Sequence, residues 1–336
     1  MKSKNHETAF DWSEVKFCPR MKLGQDVLSI DTIVNKTIRT LFPECMRDIL
    51  LKRYERMSAN CTKTLTNVSD WSQNNDACSI ANANKYKDML LEVKQRLFEQ
   101  YPNDELAKRW NDILDYPCVG HDLPVWLVRK GQENPPRVMI LSQDPLRKGL
   151  GRGKLTISSP WALHSPEYRQ KISHDLVFKV FEALLADGVE IYLTDYKKIF
   201  LPRPSHTQCC KACIGKLSAN VPTQRRVSSG FDKVYQELVK EECSLFQPEL
   251  IVAFGSQAKT LFCKMENLSE SQSVQHLERI HPGRWRFLSK EQSDDLLRKD
   301  NVQTKIDYYV KIIMRELDKV RLHNQHTITY LHNASR

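Results

Sequence analysis

The chain has 336 residues, 40% of them hydrophobic, and its 51 basic side chains exceed the 41 acidic ones by enough to give a formal net charge of +10. That length holds one large domain or two smaller ones with a substantial core, and only 11 glycines exclude a low-complexity polymer. The basic balance favours an anionic partner, with nucleic acid first and an anionic membrane surface second, while the lack of any run of 18 apolar residues excludes a spanning helix.

The opening "MKSKNHETAFDWSEVK" holds no apolar stretch of secretion-signal length. An intracellular location is therefore expected, cytoplasmic or, in a eukaryote, nuclear. The ten cysteines then read as free thiols or metal ligands rather than disulfides. Residues 1–115 are predicted to be mostly helical. "PECMRDILLKRYERM" sets Met46, Ile49 and Leu50 on one helical face, and "NKYKDMLLEVKQRLF" does the same with Tyr86, Met89, Leu90, Val93 and Leu97. Between them residues 58–83 are polar and aperiodic, and read as a long loop.

From residue 116 the pattern alternates between strands and helices. Strands are predicted at 125–129, 137–142, 190–194 and 250–254, with a shorter one before His281. A helix over about 166–186 opens on Ser165-Pro166-Glu167 and stops at Gly188. Another covers about 231–246, and a third follows Gly255. This order argues for an α/β domain over 116–295, a three-layer α/β/α sandwich on a mainly parallel sheet. Residues 296–336 form a C-terminal helix and tail. Within them a helix over about 303–322 carries Ile306, Tyr309, Val310, Ile313, Leu317 and Val320 on one stripe and is expected to dock back on the body.

Two tempting motifs are weak. "KGLGRGKL" fails the phosphate-loop spacing, because Lys148 stands where the first glycine is required and Leu155 follows Lys154. It remains a basic, flexible loop suited to a phosphate backbone. "HTQCCKAC" offers His206, Cys209, Cys210 and Cys213 as metal ligands, with Cys118, His121 or Cys243 as candidates for a fourth. No second pair at comparable spacing exists, so no cofactor is expected, with zinc or an iron–sulfur group as the alternative.

Four segments fall at the carboxyl ends of predicted strands, where open α/β sheets place their ligands. They are Gln143-Asp144-Pro145, Leu193-Thr194-Asp195, Phe254-Gly255-Ser256 and His281-Pro282-Gly283-Arg284. In this order, over about residues 120–290, they resemble the uracil-DNA glycosylase superfamily. "QDPLRKGLGRGKLTIS" runs parallel to that family's "QDPYHGPGQAHGLCFS" without a gap, and "QPELIVAFGSQAKTLF" is similar to its late strand and helix.

The resemblance implies a monofunctional glycosylase that flips a base out of DNA and hydrolyses its bond to the sugar, leaving an abasic site. Cleavage develops positive charge on the sugar and negative charge on the departing base. Asp144 maps to the carboxylate that stabilises the cation and orients or deprotonates water. His281 maps to a neutral donor for the leaving base. Gln143, Leu146, Ile157 and Asp195 map to base-binding positions. Ser158, Gly255, Ser256 and the basic Arg147, Lys148, Arg152 and Lys154 map to the DNA backbone. Arg284 and Trp285 map to the wedge that fills the vacated stack.

The departures from the family pattern point to the substrate. Leu146 stands in place of the tyrosine that excludes C5 substituents, Ile157 in place of the stacking phenylalanine, and Asp195 in place of the base-reading asparagine. An ionised carboxylate only accepts hydrogen bonds, which suits the exocyclic amino group of cytosine and repels a uracil carbonyl. The expected substrate is a C5-modified cytosine, such as a hydroxymethyl or glucosylated hydroxymethyl form in viral DNA, and the expected role is antiviral defence. The rivals are an ordinary uracil-DNA glycosylase and a non-catalytic DNA-binding module on the same fold.

Overall fold

The computed structural model describes residues 10–17, 21–23, 26–28, 30–44, 46–48, 50–52, 54–55, 119–143, 155–160, 163, 176–200, 231–254, 256–263, 265 and 302–334, with helical positions at 92, 95, 99, 108 and 110. Its centre is a five-stranded sheet ordered β1-β5-β8-β6-β10. The strands are β1 Val15–Phe17, β5 Val125–Arg129, β6 Arg137–Ser142, β8 Glu190–Asp195 and β10 Leu250–Ala253. β6 pairs in parallel with both β8 and β10, whereas β5 runs antiparallel to both β8 and β1. The sheet is therefore mixed, which corrects the expectation of a mainly parallel one. The cause is local. Gly131, at φ 76°, lies in the short link between β5 and β6; so short a link cannot make a crossover, so β6 runs opposite to β5, and β8 lies between them.

Alternation along β6 sends its side chains to two cores. Met139 and Leu141 join a cluster with Trp126, Tyr192 and Ile251. Val138 and Ile140 join another with Leu127, Ile191 and Val252. A strand apolar on both faces needs cover on both. On the first face lie α1 (Ile30–Leu41) and α3 (Asp232–Phe246). On the second lie α2 (Leu176–Ala186) and α5 (Val302–Ala334).

Helix ends follow ordinary stop chemistry. Gly188, at φ 85°, ends α2 in a left-handed turn, with the Val189 amide donating to the Leu184 carbonyl at 2.9 Å and the Gly188 amide to the Leu185 carbonyl at 3.2 Å. Gln247, also left-handed, ends α3 one residue before Pro248. α5 buries Ile306, Tyr309, Ile313, Leu317 and Val320, so the predicted stripe docks on the body, and it runs beyond the predicted end at 322. Arg321 fastens it by two bonds to Glu249, at 2.6 and 2.9 Å.

The first 115 residues hold strands as well as helix: β1, and a hairpin of β2 (Met21–Leu23) with β3 (Asp26–Leu28). Three-residue strands are too short for a period to register. Met46 and Leu50 are buried with α1 in the first core, and Trp110 donates its indole N–H to the Leu41 carbonyl at 2.6 Å. Ile49, the Tyr86–Leu97 stripe, loop 58–83 and the strand before His281 lie outside the described residues.

A smaller sheet, ordered β7-β4-β9, joins β7 (Leu155–Ser158), β4 (Val119–Asp122) and β9 (Ile199–Phe200). β9 begins four residues after β8 ends, so the two sheets are linked at the carboxyl end of β8.

At the other end of β8, Glu190 is 1% exposed and accepts a hydrogen bond from the Trp126 indole. Burial raises its carboxyl above the ordinary 4.5, against the opposing Trp126 bond and Arg137 charge. A carboxyl raised on folding contributes stability that is fully present below its unfolded value and lost as pH rises through its folded one. Glu190→Gln is therefore expected to have a higher urea midpoint than the parent at pH 8. The advantage should shrink towards pH 4, as paired unfolding titrations would show.

Candidate functional site

The three parallel strands end level with one another. Leu141 is paired with Thr194 and with Ala253, and Ser142 with Asp195. The ladder continues past the strands: the Tyr196 amide donates to the Ser142 carbonyl at 2.8 Å, Lys197 to Gln143 at 3.0 Å, and Phe254 to Leu141 at 2.8 Å. The loops opening at Gln143, Asp195 and Phe254 thus leave the sheet side by side, on the edge where ligands of open α/β sheets bind. Three of the four segments singled out in the sequence begin here.

Asp195 is 3% exposed, and the Ser142 hydroxyl donates to its Oδ1. A carboxyl side chain is thus held at the end of β8 by the strand that leads to Asp144. Gln143 is half-buried at the same edge. Ile157 and Ser158 lie on β7, in register with His121 and Asp122 of β4. Ser256 is the first residue of α4 (Ser256–Cys263), which follows β10. Asp144, Leu146, Arg147, Lys148, Arg152, Lys154, Gly255, His281, Arg284 and Trp285 lie outside the described residues, as do Cys118, His206, Cys209, Cys210 and Cys213.

Two of the candidates for a fourth metal ligand, His121 and Cys243, lie among the described residues. His121 is fully buried, and its Nδ1–H donates to the Lys198 carbonyl at 2.7 Å. Cys243 is on the buried face of α3, with its sulfur 3.5 Å from that of Met139. Burial pushes its thiol up to about 12, reinforced by the charge of Glu242 and opposed by that of Lys198, so thiolate ligation is disfavoured. Among the described residues no group of three His, Cys, Asp or Glu side chains is arranged to hold a metal. No described helix is long and apolar enough to cross a membrane.

Beside the candidate site lies a buried ion pair whose two members no local sequence pattern connects. Lys198 and Glu242 form an ion pair at 2.6 Å with both side chains 1% exposed. Lys198 Nζ donates to both carboxylate oxygens, at 2.8 and 2.6 Å, and to the Thr194 hydroxyl at 2.6 Å. Thr194 in turn donates to Glu242 at 3.0 Å. Burial pushes the Glu242 carboxyl up, while Lys198, Thr194 and Tyr192 pull the other way. A signal did exist. On α3 the buried positions are Tyr235, Leu238, Val239, Glu242, Cys243 and Phe246, so Glu242 occupies a core place in an apolar stripe. An acid there demands a buried partner, although its identity is not local information.

Comparison with protein-family models gave no match, and comparison with curated proteins gave none either.

Proposed function

We propose that this protein is a monofunctional DNA glycosylase on a three-layer α/β/α framework. It would flip out a C5-modified cytosine and release it by hydrolysis, leaving an abasic site. The observation that carries the reading is the level ending of β6, β8 and β10. It brings Asp195 together with Gln143 and Phe254, the residues that lead to Asp144 and to Gly255-Ser256 in the sequence. Those loops are where the sequence resembles the uracil-DNA glycosylase superfamily, and the net charge of +10 suits a phosphate backbone.

In this reading Asp144 stabilises the sugar cation and orients or deprotonates water, and His281 donates to the departing base. Asp195 accepts from the exocyclic amino group. Leu146 and Ile157 leave the C5 side open for a hydroxymethyl group or its glucosylated form. Such bases disguise viral DNA, so the enzyme would serve defence. The position of Asp195 supports its share, since the Ser142 bond holds its carboxyl group at the end of β8, level with the end of β6.

The test is a set of duplex oligonucleotides carrying uracil, thymine, cytosine, hydroxymethylcytosine or its glucosylated form, with released base read by mass spectrometry. Release of a modified cytosine is expected. Preference for uracil over every cytosine derivative would leave an ordinary uracil glycosylase, and no release from any duplex would leave a DNA-binding module. Asp195→Asn adds a second check. The amide oxygen keeps the Ser142 bond while the amide N–H₂ can donate to a carbonyl. Uracil release should therefore rise relative to modified cytosine by about ten-fold or more, in line with discrimination by a paired polar group.

A further inference from the structure

The Lys198–Glu242 pair raises a question that stability does not answer. Withdrawing two charges from water costs several kcal/mol each, and a well-packed apolar pair of similar volume often serves the fold as well or better. The pair's partners indicate another use. The Lys198 ammonium is saturated by Thr194 and the two Glu242 oxygens. Thr194 immediately precedes Asp195 at the end of β8, and Glu242 belongs to α3 on the first face. The backbone carbonyl of Lys198 accepts from His121, whose register partners are Ile157 on β7 and Ile199 on β9. One residue thus ties α3, the end of β8 and the small sheet to a single point, three positions beyond the acid proposed to read the base.

We propose that Lys198, held by Glu242 and Thr194, is a positioning residue: it fixes Asp195 relative to the β7 strand that carries Ile157, and so sets which base the crevice accepts. This rests on the glycosylase reading above. Side chains that read a base must be held to within about half an ångström, and Asp195 is the last residue of β8. In some proteins a buried polar or ionic pair fixes one geometry that an apolar replacement does not, and the Lys198 ammonium has its donor positions filled by Glu242 and Thr194.

The test uses the full chain and two variants, Lys198→Met/Glu242→Leu and the milder Glu242→Gln. Two readouts are taken. One is the ratio of kcat/KM on hydroxymethylcytosine and uracil duplexes, which does not depend on the fraction of folded protein. The other is hydrogen exchange at the amides of Tyr196 and Lys197, which bond to the end of β6. In the double variant the ratio is expected to fall by about ten-fold or more, and both amides to exchange about ten-fold faster, with a smaller change in the same direction for Glu242→Gln. Parent-like exchange in both variants, or a parent-like ratio in an active double variant, overturns the proposal. A parent chain that releases no base removes the glycosylase reading and with it the specificity role. The exchange comparison separates that outcome from failure of the clamp itself.

Discussion

Asp144→Asn is expected to lower base release by about 1,000-fold or more while changing duplex binding by less than about three-fold. In glycosidic hydrolysis the sugar gains positive charge before water has fully added. A carboxylate beside it therefore stabilises the transition state much more than the bound duplex. Asparagine fills the same space and accepts hydrogen bonds, but it carries no charge and removes no proton from water. The substitution should thus separate chemistry from affinity. Single-turnover release of base measures the first, and fluorescence anisotropy with a labelled duplex measures the second. Equal loss in both would make Asp144 a binding or folding residue, and unchanged release would remove it from the mechanism.

Lys198→Met is expected to destabilise the fold by about 3–5 kcal/mol at pH 7.5, because it strands the Glu242 charge in the core. Glu242 is already pushed up by burial, and Lys198 is the chief influence pulling it down. Without the lysine its folded-state value rises further above the ordinary 4.5. Stability attached to such a raised carboxyl is fully present below the unfolded value and disappears as pH climbs through the folded one. The deficit of the variant should therefore be smaller at pH 5 than at pH 7.5, with proton uptake on folding. Adding Glu242→Leu should recover most of the loss at neutral pH. Urea unfolding at the two pH values measures all of this, and a pH-independent deficit would argue against a stranded carboxylate.

The sheet was legible where strands were long and apolar. Runs such as Val138–Leu141 and Leu250–Ala253 belong to strands buried on both faces, and composition alone marks them. Strand direction was less legible. The antiparallel return from β5 to β6 depends on a short link, whereas the helix-containing connections elsewhere in the chain have the length that parallel strands need. β1, β4, β7 and β9 have two to four residues each and carry no usable period. In the candidate site, Asp195 stands out in the sequence because its neighbours form a pattern along the chain. Lys198 does not, because its meaning comes from Glu242, 44 residues away. A lone lysine after a strand reads as solvated until its partner is known.

The two faces of the central sheet are closed by parts of the chain made at very different times. α1 arrives early, but the cover over Leu250, Val252 and Phe254 includes Tyr309, Ile313 and Leu317 of α5. On a ribosome, the strands up to β10 emerge some 50 residues before that cover does. During that interval an apolar sheet surface is open to water, with β10 still lacking the helix that Glu249 and Arg321 will fasten. Nascent chains halted ahead of residue 302 should therefore be strong clients for holdase chaperones, and those extended past Arg321 weak ones.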